Sequence, residues 1–310
     1  MKRLFLLAAL FSLSSLAVAE QRYSARAMVL SVDPAHKTFL GSCDDIPGLM
    51  KAMSMPFEVR EAKDLAGLVP GAIVEFTLVI DNNFAYAEHL KIRPYQNLEQ
   101  DPWTARQLKL LSSFIGGPKS APKPVDVGHA VPDFTLTDQA HQQVTFSQFR
   151  GKIVALNFIY TSCALPTFCY RMANNFGMLQ RRFQTELGRD LVLLTVSFDP
   201  QHDSPEVLAH YAQTWKADPK SWHFLTGSVP DVRRVTDAFG MDFFPDEGLM
   251  DHSLHTAVID RDGKLVANIE GNKYTAEQLG DLVNSVLNQK SVHPEMQFHL
   301  DHSAPATNPE

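Results

Sequence analysis

Two apolar runs, "KIVALNFIY" (152–160) and "DLVLLTVSF" (190–198), restrict the fold of this chain more than any other feature. Neither leaves a polar side for water, so each reads as a strand buried on both faces of a sheet. Between them Cys169, Met172, Ala173, Phe176, Leu179 and Phe183 recur at helical spacing. "SPEVLAHYAQTW" begins a further helix with a serine cap, "HTAVID-RDG-KLVANIEG" is a hairpin pair, and "TAEQLGDLVNSVLNQ" (275–289) closes the pattern with a threonine-capped amphipathic helix. Strand, helix, strand, helix, hairpin, helix is the order of a thioredoxin-like α/β domain.

The preceding 70 residues obey a different period. "YSARAMVLSVD", "KTFLGS", "MPFEVR", "AIVEFTLVID" and "NFAYAEHLKIR" are rich in β-branched and aromatic residues and are separated by turn sequences. Five short strands in that length suit a small all-β barrel of the OB type. "DPWTARQLKLLSSFI" then reads as a short amphipathic helix and "GGPKSAPKPVDVG" as a linker. At the N-terminus, "MKR", the run "LFLLAALFSLSSL" and "AVA" before Glu20 form a signal peptide with a small-residue cleavage site. The expected organisation is a signal peptide (1–19), an all-β barrel (23–95), a helix and linker (96–125), a thioredoxin-like domain (126–290) and a His-containing tail (291–310).

Export constrains function. Residue 20 is Glu rather than Cys, so no lipoprotein anchor is indicated, and no later run is long enough to span a membrane. The expectation is a soluble protein of the bacterial periplasm. Cleavage removes Lys2 and Arg3, leaving 26 basic against 35 acidic residues, a net charge of −9. That balance excludes nucleic acid as a partner, because binding it requires basic patches. Three cysteines, Cys43, Cys163 and Cys169, are too few for a disulfide scaffold, and their odd number leaves a thiol outside any intramolecular bridge.

"TSCALPTFCYRM" places Cys163 in the loop leaving a buried strand and Cys169 in the first turn of the following helix. Unpaired backbone N–H groups and the helix dipole at that position favour thiolate. A thiolate pair can exchange disulfides or hold a soft metal such as Cu(I). A bridge within one short loop would stabilise little, which makes a purely structural disulfide the weaker reading.

"GKIVALNFIYTSC…C", "VSFDPQHDSPEVLAHY" and "DHSLHTAVIDRDG", in that order, resemble the Sco/SenC family, copper-binding thioredoxin-like proteins of cytochrome oxidase assembly. The resemblance covers residues 126–288. It implies copper, as Cu(I), Cu(II) or both, held by Cys163, Cys169 and a downstream histidine. In the family that histidine precedes the hairpin glycine by eleven residues, which from Gly263 indicates His252 rather than His255. The family's "DPxxD" motif falls on Asp199 and Asp203, with Asp199 expected beside the site and Asp203 in capping or turn duty. Two departures stand out: the cysteines are spaced C-x5-C rather than C-x3-C, and Ala164 and Tyr170 replace the prolines that often follow each cysteine.

"CDDIPGLMKAMSMPFEV" groups Cys43 with Met50, Met53 and Met55. On a strand, Met53 and Met55 share a face, and thioether and thiolate donors together select Cu(I), although methionines also serve as core fillers. The stretch resembles the CusF-like copper-binding domain over residues 26–93. That resemblance puts Met53 and Met55 on the family's ligand methionines, Cys43 where its histidine stands, and Met50 near the position of a capping tryptophan. In the tail, His293, Met296, His299 and His302 form a further weak metal-binding pattern.

Together these readings imply an exported copper chaperone serving a copper-accepting protein, cytochrome oxidase subunit II with its dinuclear CuA site. The alternative is a thiol-disulfide oxidoreductase in which Cys163 and Cys169 act as a redox pair on a client's cysteines. A peroxidase would need an activating threonine and arginine around its cysteine, and "TSC" offers only the first.

Overall fold

The computed structural model describes residues 20–81, 84–93, 123–163, 168–246 and 249–289. The expected signal peptide (1–19), the expected helix at 101–115 with most of the expected linker, and the expected His-containing tail lie outside these residues.

The N-terminal half is one antiparallel sheet of β1 (Gln21–Asp33), β2 (Thr38–Cys43), β3 (Met53–Glu58), β4 (Ile73–Asp81) and β5 (Phe84–Ile92). The strand order is β3-β2-β1-β4-β5. All five strands fall where alternation of apolar residues places them, but the expected closed barrel is not what forms. The ladder ends at β3 and β5, and a single parallel bridge between Val59 and Ala87 joins the two ends. Pro56 sits in β3, an edge strand, where its missing N–H costs no ladder bond.

The pleat gives this sheet two apolar faces. Ala25, Ala27, Val29, Phe39, Phe57 and Phe76 bury against one another on the concave side, with Phe39 and Phe57 stacked at 5.1 Å. Met28 and Leu30, on the opposite face of β1, are fully buried in the core of the C-terminal half. The halves therefore share packing. At Gly71, whose φ is +86°, a Cβ would lie 2.9 Å from Ile269 and 3.0 Å from Ala267, so the approach needs glycine on both counts.

The C-terminal half is a seven-stranded mixed sheet. Its strands are β6 (Thr135–Asp138), β7 (Gln143–Thr145), β8 (Ile153–Ile159), β9 (Leu191–Ser197), β10 (Trp222–Thr226), β13 (His255–Ile259) and β14 (Leu265–Glu270). Their order is β14-β13-β8-β9-β10-β6-β7, with β8, β9 and β10 parallel at the centre. Every residue of β8 and β9 is buried, as their unbroken apolar sequences require. Among the described residues four helices connect or cover the sheet: α1 (Cys169–Arg182), α2 (Pro205–Thr214), α3 (Val229–Ala238) and α4 (Ala276–Leu287). Ser204, Ser228 and Thr275 cap α2, α3 and α4 through their hydroxyls. A separate hairpin, β11 (Phe243–Asp246) and β12 (Leu249–His252), stands outside the main sheet.

Candidate metal centres

Three elements converge at the first centre. Strand β8 runs straight into Tyr160, Thr161 and Cys163, α1 begins at Cys169, and the hairpin β11–β12 ends at His252. The ligating atoms of Cys163, Cys169 and His252 all lie within 4.8 Å of one another. No disulfide joins the cysteines. Cys169 is buried and Cys163 half-buried, so the group has one side turned to solvent.

The histidine's tautomer follows from its partner. The Nδ1 of His252 lies 2.9 Å from the backbone carbonyl of Ser253, which can only accept, so Nδ1 carries a proton. Neutral imidazole then has its lone pair on Nε2, the arrangement seen in metal-ligating histidines whose other nitrogen is hydrogen-bonded. The ring is boxed by Phe198 at 4.8 Å, Tyr160 at 5.6 Å and Phe168 at 5.8 Å. Two thiols and one imidazole, the ring packed among aromatic side chains, suit a soft metal ion.

His255 is three residues further on and belongs to β13, pointing elsewhere. Its Nδ1 is 3.2 Å from Asn268 Oδ1, its Nε2 is buried without a hydrogen-bond partner, and burial lowers its pKa.

The thiols differ from the sequence expectation in charge. The start of α1 was expected to favour thiolate at Cys169. Burial instead pushes the Cys169 thiol well up, reinforced by its hydrogen bond with Cys163. Burial also pushes the Tyr160 phenol up to about 12, with the Cys163 thiol adding to the shift. Desolvation of a thiolate outweighs the helix terminus here, so a metal ion must displace the proton it needs removed.

Asp203 of "DPQHD" also departs from its expected role. Asp203, expected to cap or turn, is almost fully buried, and its carboxylate accepts from the Thr161 N–H at 3.0 Å, from the Thr161 hydroxyl and from the Ser197 hydroxyl. It ties the end of β9 to the first residues of the cysteine loop. Asp199, expected beside the site, accepts from exposed His202 at 2.9 Å and, among the described residues, receives no hydrogen bond from the cysteine loop. Tyr160, Phe168 and Phe198 carry no site signal in the sequence beyond adjacency to the cysteines and to "DP", and Thr161 stands out there only as half of a peroxidase pattern.

The second group lies on β2 and β3. Cys43 pairs directly with Met53, and Gly41 with Met55. Opposed residues share a face and alternate residues share a face, so Cys43, Met53 and Met55 all point to the concave side. Gly41 leaves room there, since a Cβ would press on Ala27, Phe39 and Phe57 at 3.1–3.2 Å. Met50 pairs with Ile46 in the turn before β3 and, like Met55, packs against the concave core. Cys43 is buried, whereas Met53 is 52% exposed. Burial, with Asp44 beside it, pushes the Cys43 thiol up to about 11. The donor set is soft and its mouth is open.

Comparison with known proteins places both halves. Residues 123–288 match the family model described as SCO1/SenC, and residues 22–86 match that of the copper binding periplasmic protein CusF. A SCO2-like protein of Rickettsia typhi is 30% identical over 151 residues, 46% of this chain and 69% of its own length. A SCO1 homolog of Bacillus subtilis is 29% identical over 101 residues, 33% of this chain and 51% of its own. Among solved structures, a SCO1/SenC family lipoprotein from Bacillus anthracis is 26% identical and covers 54% of this chain and 99% of its own, with a TM-score of 0.47. The SCO1/SenC match spans more than half of the sequence and contains all three converging residues of the first centre. The chain belongs to the SCO1/SenC family.

Proposed function

We propose that this chain is a copper chaperone: Cys163, Cys169 and His252 hold copper for transfer to a cuproprotein. The observation that carries this reading is the convergence of two thiols and one correctly tautomeric imidazole within 4.8 Å. Copper is the metal because the donors are soft and because the other half of the chain matches a copper-binding family. Half-exposed Cys163 lets an acceptor's ligands approach, while buried Cys169 and His252 keep the ion seated. The acceptor is cytochrome oxidase subunit II at its CuA site, with transfer outside the cytoplasmic membrane after export. Among the described residues no helix is long and apolar enough to cross a membrane.

In the N-terminal half, Cys43, Met53 and Met55, with Met50 beside them, capture Cu(I). The shared concave face and the softness of the donors support this assignment. A thiol-disulfide reductase role is the second reading, with half-exposed Cys163 as the attacking thiol and buried Cys169 as the resolving one; the imidazole beside both thiols favours copper.

Titration of the reduced chain with copper tests the chaperone reading. One equivalent should be lost on Cys163→Ser, with no catalytic turnover of a disulfide substrate. Undiminished copper binding in Cys163→Ser, or multiple turnovers, would contradict it.

A further inference from the structure

Ser42 and Ser54 face each other across β2 and β3, and both hydroxyls donate to the same oxygen, Oδ2 of Asp281 on α4, at 2.7 Å. The other carboxylate oxygen accepts from Arg182 at 2.6 Å. One residue along each strand is the Cys43–Met53 pair, which ends the ladder. Side chains alternate, so the serines turn toward α4 while Cys43 and Met53 turn away from it. On the other side of Cys43, Asp44 accepts from the Gln278 amide at 2.9 Å, and the same amide reaches the Ser42 carbonyl at 3.3 Å. Cys43 thus stands between two residues that are both bonded to α4.

A terminal pair on an edge strand is the part of a ladder that frays most easily. Here the pair carries two metal donors, one of them half in solvent. The carboxylate one step inward bridges both strands from behind and holds their separation.

We propose that α4 of the thioredoxin-like half is the backing of the N-terminal metal site, and that Asp281 is a positioning residue for Cu(I) there. It sets the cross-strand spacing of Cys43 and Met53 without touching the metal. This rests on the Cu(I) reading of Cys43, Met53 and Met55 given above. It follows that the N-terminal site depends on a helix that sequence assigns to the other half, and that copper enters from the face opposite α4.

The test is a Cu(I) competition titration on the full chain with Cys163→Ser and Cys169→Ser, which leaves only the N-terminal donors. Cys43 and Met53 as ligands require that Met53→Leu weaken binding. Both Asp281→Ala and the double substitution Ser42→Ala/Ser54→Ala should lower affinity by roughly tenfold or more, the usual cost of losing an outer partner of a metal site. The serine pair removes only hydroxyls and keeps the readout available if Asp281→Ala folds poorly. Asp281→Asn, which retains one oxygen for the two hydroxyls, should recover most of the loss. Parental affinity in the serine pair, with Met53→Leu weakened, would overturn the clamp alone. Parental affinity in Met53→Leu would remove the site itself, and the clamp with it.

Discussion

His252 and His255 lie three residues apart and differ in what decides ligation. His252 has its Nδ1 proton engaged by a carbonyl and its ring beside two thiols; His255 is tied to Asn268 within the sheet. Cu(II) bound to the reduced chain should show thiolate-to-copper charge-transfer absorption. His252→Ala should alter that spectrum strongly and His255→Ala leave it close to parental; the reverse order would move the site. Cys43 makes a second residue-scale prediction. Its thiol stays protonated up to about 11, so binding Cu(I) at neutral pH releases one proton. Apparent affinity at the N-terminal site should rise about tenfold per pH unit between pH 6 and 8. The same shift acts on the metal-free fold with the opposite sign. The unfolded thiol deprotonates first, so the stability carried by protonated Cys43 is complete below an ordinary thiol pKa and is lost as pH rises toward 11. A pH-independent Cu(I) affinity would mean that Cys43 is not a ligand.

At the scale of elements, the cysteine loop is held by what precedes and flanks it. Buried Asp203 links β9 to Thr161 through three hydrogen bonds. Asp203→Ala would strand a buried N–H and two hydroxyls, costing about 3 kcal/mol of stability, and should weaken copper at Cys163 and Cys169 by roughly tenfold. Thermal unfolding and copper competition on the same variant check both numbers; unchanged copper affinity would separate the carboxylate from the site. Strands β8 and β9, helix α1 and the capped helices α2 and α4 were legible in sequence because long apolar runs and hydroxyl caps carry strong periodic signals; α3, capped by Ser228, was not read. The hairpin of β11 and β12 was not. Four-residue strands such as "FFPD" and "LMDH" are too short to show a period, although this hairpin delivers His252. The roles of Asp199 and Asp203 were equally hidden, since spacing within "DPQHD" does not reveal which carboxylate turns inward. Closure of the first sheet was over-read: five alternating strands are compatible with a barrel or with an open sheet whose outer face is covered by something else.

What covers it is the other half of the molecule. Met28 and Leu30 of β1 belong to the core beneath α4, and Asp281 and Gln278 bond β2, β3 and Asp44. Met28→Ala should cost about 3 kcal/mol. Hydrogen exchange should then speed up together in β1 and β8, because the two strands open as parts of one packed unit. Acceleration confined to β1 would mean that the halves unfold independently. The central claim concerns the donors at the other centre, and X-ray absorption at the copper edge reads them directly. The reduced chain carrying Met53→Leu and Met55→Leu, loaded with one equivalent of copper, should show two sulfur scatterers and one imidazole per copper. His252→Ala should remove the imidazole contribution and leave the sulfurs. Imidazole scattering that survives His252→Ala, or a shell without two sulfurs, would contradict copper binding by Cys163, Cys169 and His252.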